Sequence, residues 1–122
     1  SPLGLAPMAF DRKHRRVLKD NHFEACGTLA KAMKLDEWDG DRVIYAITDP
    51  AGERIVYVGD TERGRDLRGR LKSHLNDRSK MGLVELSSKL WVHFMVTEYK
   101  VLCDFEDATD SLPELNRRKV PK

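Results

Sequence analysis

The chain of 122 residues has little cysteine, no long apolar run and almost no net charge, and each shortage excludes something. Its two cysteines, Cys26 and Cys103, stand far apart. With no CxxC and no His/Cys cluster at zinc spacing, a structural zinc site drops out, and two free, buried thiols in a reducing, intracellular compartment are expected. Apolar runs such as residues 90–92 and 94–96 are far short of the roughly 20 residues a membrane helix needs. Residues 1–7 carry neither a charged start nor an apolar core, so they read as a tag remnant ahead of Met8 and not as a secretory leader. There is no internal repeat and no low-complexity tract. With 22 Lys/Arg against 20 Asp/Glu, the net charge of +2 excludes nucleic-acid binding by bulk charge alone and leaves only local patches to carry it.

What is present points to one compact domain. The length fits a single unit, and 40% hydrophobic residues exclude wholesale disorder. Across residues 11–34, Val17, Leu18, Phe23, Ala25, Cys26, Leu29, Ala30 and Met33 recur at roughly helical intervals. Asp11 is a candidate cap, and Asn21 and Gly27 mark a break or kink. Arg12, Lys13, Arg15 and Arg16 make this region basic at its start, and residues 36–41 close it with an acidic loop. Residues 43–48 and 54–59 are β-branched and aromatic. The Asp49, Pro50, Ala51, Gly52 separator predicts a turn, and hence an antiparallel hairpin. A helix follows over residues 65–76, with Leu67, Leu71 and Leu75 as its buried stripe. Residues 90–97 read as a third strand and 100–110 as a short helix stopped before Pro113. The expectation is an α+β fold: a small antiparallel three-stranded sheet flanked by helices, with a helical extension over residues 1–42 packing on a core of residues 43–122.

Charge is segregated along this order. Between residues 63 and 80 stand seven Lys/Arg (Arg63, Arg65, Arg68, Arg70, Lys72, Arg78 and Lys80) against two acids, and Arg117 and Arg118 begin a basic tail. Glu98, Asp104, Glu106, Asp107 and Asp110 reverse the sign over residues 96–112, against Lys100 alone. A cationic surface beside a carboxylate cluster suits a phosphate backbone held next to a divalent metal, although two solvated helix faces would look the same. Arg70 and His74 share a helix face at the border of the leucine stripe. An Arg fork there would meet phosphate oxygens, and a His would take or relay a proton near neutral pH. Tyr45 and Tyr57 lie on facing strands, and Gly59 permits a close approach.

The joint order of these residues resembles the GIY-YIG nuclease superfamily. It runs from Val43, Ile44 and Tyr45 through Tyr57, Val58 and Gly59 to Arg70 and His74, then an acidic helix, then Leu112, Pro113, Glu114, Leu115 and Asn116. The likeness spans residues 43 to 116, with Val in place of the first Gly. It implies a metal-dependent endonuclease acting on DNA phosphodiesters, with an inactive nucleic-acid-binding module of the same fold as the alternative. By carry-over, Tyr45 is the base or water-positioning group, His74 helps take its proton, Tyr57 positions the phosphate or water, and Arg70 stabilises phosphate charge. Asn116 hydrogen-bonds near the site and orders the final loop. Glu106 is the sole protein ligand of Mg²⁺ or Mn²⁺, with Glu98 and Asp104 as alternatives. The basic residues 63–80 and Arg117 and Arg118 would contact DNA. A nuclease this small takes its specificity from dimerisation, DNA shape, its loops or a separate targeting protein, in a bacterial, phage or mobile-element setting.

Overall fold

The hairpin turn is built as its residues require. In the computed structural model, which describes residues 9–34, 43–61, 66–80, 83–93 and 98–116, the Asp49 carboxylate accepts from the Glu53 and Arg54 amides, and Gly52 closes the turn at φ 74°. This turn joins β2 (Ile44–Thr48) to β3 (Ile55–Asp60), and β4 (Lys89–His93) pairs with the other side of β2, antiparallel. Strand β2 is buried along its whole length because helices cover both faces. Its residues alternate: Tyr45 and Ile47, with Val43 just before the strand, pack toward α2 (Leu29–Ala32) and α3 (Leu67–Asn76). Ile44 and Ala46 pack toward α1 (Ala9–Asp20) and α4 (Glu98–Thr109).

The sheet has four strands, not three, in the order β1-β4-β2-β3. The extra strand, β1 (Glu24–Thr28), comes from the region expected to be helical throughout, and it forms an edge by pairing antiparallel with β4. Helix α1 begins at Ala9, upstream of the proposed cap Asp11, and stops at Asp20. His22 adopts φ 58°, its amide bonds to the Lys19 carbonyl, and the Phe23 amide reaches back to the Leu18 carbonyl. That double closure is a Schellman motif with a histidine in the usual glycine position. Asn21 then locks α1 to α4: its amide group donates to the Val17 carbonyl and to Asp104, and its oxygen accepts from Lys100.

The remaining elements start or stop close to where the pattern placed them. Asp66 caps α3 through the Gly69 amide, and α4 starts two residues earlier than expected and ends at an αL Asp110. Cys26 and Cys103 form no disulfide and are half-buried, more exposed than expected. Among the described residues, no helix is long and apolar enough to cross a membrane. The tag remnant, the acidic loop at 36–41, residues 62–65, residues 94–97 and the basic tail from 117 lie outside the described residues.

Candidate active site

Tyr45 sits on the inner strand β2, fully buried, and faces α3. Its neighbour across the hairpin is Gly59, and a Cβ on Gly59 would lie 2.5 Å from the Tyr45 hydroxyl and 2.6 Å from Cζ. The phenol therefore lies across the glycine backbone. Gly59 is required here for space, which its neighbour's ring fills.

Tyr57 reaches the same face through a backbone irregularity. Ile47 pairs with Tyr57 but Thr48 pairs with Ile55, so Val56 is an extra residue on β3. As a result Val56 and Tyr57 both pack on the α3 side, while Ile55 and Val58 pack on the other. The two tyrosine rings lie 6.1 Å apart, centroid to centroid.

Helix α3 delivers the remaining groups. Leu67 and Leu71 seat it on the sheet, which turns His74 inward to 6% exposure, and His74 Nε2 comes 2.6 Å from the Tyr45 hydroxyl. The imidazole also stands against Tyr57, with centroids 4.5 Å apart. One turn earlier stands the half-buried Arg70, close enough for its charge to act on both tyrosines. A depression of about 280 Å³ lined by Asp66, Gly69, Arg70 and Ser73 opens beside it.

Burial pushes the Tyr45 phenol well above its ordinary range, and the nearby Tyr57 adds to the rise; Arg70 opposes it. Tyr57 is raised for the same first reason, again with Arg70 opposing and with Glu98 adding to the rise. Both phenols are therefore neutral near pH 7. Neither can accumulate as phenolate, but Tyr45 can pass a proton: its hydroxyl can receive one while giving its own to His74.

Of the three carboxylates considered as metal ligands, Glu98 is the one whose charge reaches both tyrosines. It is the first residue of α4 and follows the end of β4 nearest Tyr45, since Tyr45 pairs with Val92 and Ile44 with His93. Glu106 lies eight residues further along α4, about 12 Å at the usual helical rise. Asp104 accepts from Asn21 and Lys100 at the α1–α4 contact. No group of three or more His, Cys, Asp or Glu residues that could hold a metal occurs among the described residues. A lone carboxylate is still a suitable donor for Mg²⁺, which keeps several waters and completes its shell with substrate phosphate.

Asn116 binds both backbone groups of Val58: its side-chain oxygen accepts from the Val58 amide and its amide group donates to the Val58 carbonyl, each at 2.8 Å. With Leu115 donating to the Val56 carbonyl and an Arg54–Glu114 ion pair, the chain end covers the outer edge of β3. It thereby holds the residue between Tyr57 and Gly59. Among the basic candidates, Lys72 and Arg78 are exposed and Arg68 is half-buried. Arg63, Arg65, Arg117, Arg118 and the Lys80 side chain lie outside the described residues. Sequence reasoning had not singled out His14, which is buried on α1, with its Nδ1 accepting from the Ile55 amide at 2.8 Å. Its RKHRR surroundings read as a solvated basic stretch, and only helical phase marks His14 as the inward residue.

No known protein family, curated protein or solved structure matches this chain.

Proposed function

We propose that this protein is a divalent-metal-dependent DNA endonuclease with a GIY-YIG-like catalytic core, cutting phosphodiester bonds by water attack. The observation that carries this is the convergence of Tyr45, Tyr57, Arg70 and His74 around a 2.6 Å Tyr45–His74 contact, four residues drawn from two strands and a helix. Two packing tyrosines would not require a buried histidine at the hydroxyl of one and against the ring of the other. Burying an imidazole and a phenol together is costly unless they satisfy one another, and here they do.

With the phenol as donor and Nε2 as acceptor, Tyr45 acts as a relay. As the attacking water forms its bond to phosphorus, its proton moves to the Tyr45 oxygen and the Tyr45 proton moves to His74 Nε2. The P–O bond to the leaving strand breaks, and that oxygen takes a proton from solvent. The phenol is neutral before and after, so its raised pKa is no obstacle, and the net base is the imidazole. Arg70 places its guanidinium on the phosphate oxygens that gain charge, a contact that stabilises the transition state more than the ground state. Tyr57, standing against the imidazole, orients the water or phosphate. Asn116 keeps Tyr57 and Gly59 in register through Val58. Glu98 is the carboxylate suited to hold Mg²⁺ or Mn²⁺, which when bound supplies Lewis-acid neutralisation of the phosphate charge. Lys72 and Arg68 on α3, with Arg78 just beyond its end, extend the cationic surface toward the DNA backbone.

The test is cleavage of supercoiled plasmid, single-stranded and branched DNA with Mg²⁺ or with EDTA, by the full chain and its variants. Metal-dependent cutting is expected, abolished by EDTA, by Arg70→Ala and by Glu98→Gln, and retained in Glu106→Gln. Loss with Glu106→Gln and not with Glu98→Gln would move the metal to the far end of α4. Salt-sensitive DNA binding with no cutting of any substrate would replace the enzyme by a binding module.

A further inference from the structure

A cavity of about 690 Å³ lies on the face of the sheet opposite Tyr45 and His74, between α1, β1, β4 and the β2–β3 turn. Its volume is within the range of pockets that hold small organic groups. Leu18, Phe23 and Trp91 contribute its apolar wall, and Arg15, Lys19 and Lys89 are its cations. The aromatic groups are held in place: Phe23 by the Schellman closure of α1, and Trp91 by an indole N–H directed at the Thr48 hydroxyl, 3.4 Å away. Glu53, paired with Arg15, is the acid in the lining.

The cations continue beyond the cavity. From Arg12 to Lys19, α1 carries five Lys/Arg and no acid, all exposed. Arg15 and Lys19 are shared with a second depression of about 300 Å³, which Arg12, Arg16 and, as its single acid, Asp20 also line. This track runs for about 10 Å along the helix. A single small anion would use one or two of these groups. A track of cations leading into an aromatic-walled cavity fits a chain of phosphates carrying flat apolar groups.

We propose that this face binds single-stranded nucleic acid, with one unpaired base seated in the cavity against Phe23 and Trp91 and the adjoining phosphates on Arg12, Arg15, Lys19 and Lys89. A duplex keeps its bases stacked within the helix and can offer the cavity none of them. The site shares no residue with the Tyr45–His74 pair, and binding here is independent of cleavage.

The test uses Trp91 fluorescence in the full chain carrying Trp38→Phe, which leaves Trp91 as its only tryptophan. Titrations run in EDTA, so nothing is cut, with single-stranded DNA, single-stranded RNA, a duplex of equal length, and dodecanoate as an amphipathic anion. Saturable quenching by a single strand is expected, with the duplex roughly tenfold weaker or worse. A preference between the DNA and RNA arms identifies the natural strand. Affinity should fall with salt at about 0.7 log units per log unit of salt for each phosphate contact. Lys19→Glu with Lys89→Glu should weaken binding by roughly tenfold or more and lower that slope by about 1.4, at an unchanged melting temperature. Tyr45→Phe should bind like the parent. The proposal is overturned if no single strand quenches Trp91, if the duplex binds as tightly, if the double charge reversal leaves affinity unchanged, or if dodecanoate alone saturates the site.

Discussion

Replacing Gly59 by alanine adds a methyl carbon 2.5 Å from the Tyr45 hydroxyl, 2.6 Å from its Cζ and 2.7 Å from Tyr57 Cε2. Carbon contacts are comfortable near 3.5–4.0 Å, so both rings have to move by about 1 Å. A surface side chain would swing away, but Tyr45 is fully buried and its hydroxyl is 2.6 Å from His74. Overpacking of this kind costs about 1–3 kcal/mol, and losing the Tyr45–His74 contact adds about 0.5–1.5 kcal/mol. The reduced freedom of the unfolded chain returns about 0.4–1 kcal/mol. The net expectation is a loss of about 1–3 kcal/mol, or about 5–15 °C in melting temperature for a domain of this size. Urea denaturation and thermal melting followed by circular dichroism measure it. A Gly59→Ala protein as stable as the parent would mean that the phenol does not lie over Gly59, and the arrangement of the site would be wrong.

Other consequences follow from the same contacts. Asn116→Ala leaves the amide and carbonyl of Val58 without their side-chain partner and should cost about 1–3 kcal/mol in urea denaturation; a change under half of that would deny the edge clamp. His14→Ala strips the buried Ile55 amide of its acceptor and removes an edge-on ring contact with Phe105, so a loss of about 2–4 kcal/mol is expected, with an unaltered protein as the contrary result. Tyr45 and Tyr57 hold their protons more tightly folded than unfolded, which fixes the sign of the pH dependence. Their contribution is fully present below the unfolded phenol value of about 10 and is lost as pH rises above it. Stability measured in urea from pH 8 to 11 should fall at the alkaline end, and the 295 nm absorbance should show these two rings ionising at higher pH in the folded protein than in the unfolded chain. Tyrosine ionisation of the native protein completed near pH 10 would contradict this.

Much of this architecture is legible without coordinates, and what is not depends on distant partners. The Asp49–Gly52 turn and the Leu67, Leu71 stripe carry their own local chemistry, so the hairpin and α3 are predictable. Strand β1 is different. Ala25, Cys26, Leu29 and Met33 fit a helical period, the strand has one β-branched residue, and its pairing partner β4 lies more than sixty residues away. The bulge at Val56 is equally hidden, because strict alternation would put Tyr57 on the face of Ile55. The resemblance favours Glu106, which stands about one helix after the third strand; that the charge of Glu98, the first residue of α4, bears on both tyrosines depends on how α4 sits against the sheet, which no local pattern shows. The cavity beside Trp91 needs β1, α1 and the hairpin turn together, and no local pattern announces it.

The central claim is that Tyr45 moves a proton to His74 during phosphodiester cleavage, and Tyr45→Phe removes only the oxygen through which it moves. The measurement is the rate of Mg²⁺-dependent plasmid cleavage by the parent and by this variant, with melting temperatures compared alongside. A fall of about 10²–10⁴-fold in rate, in a protein that still folds and binds DNA, is predicted. Cleavage by Tyr45→Phe at the parent's rate would contradict the account.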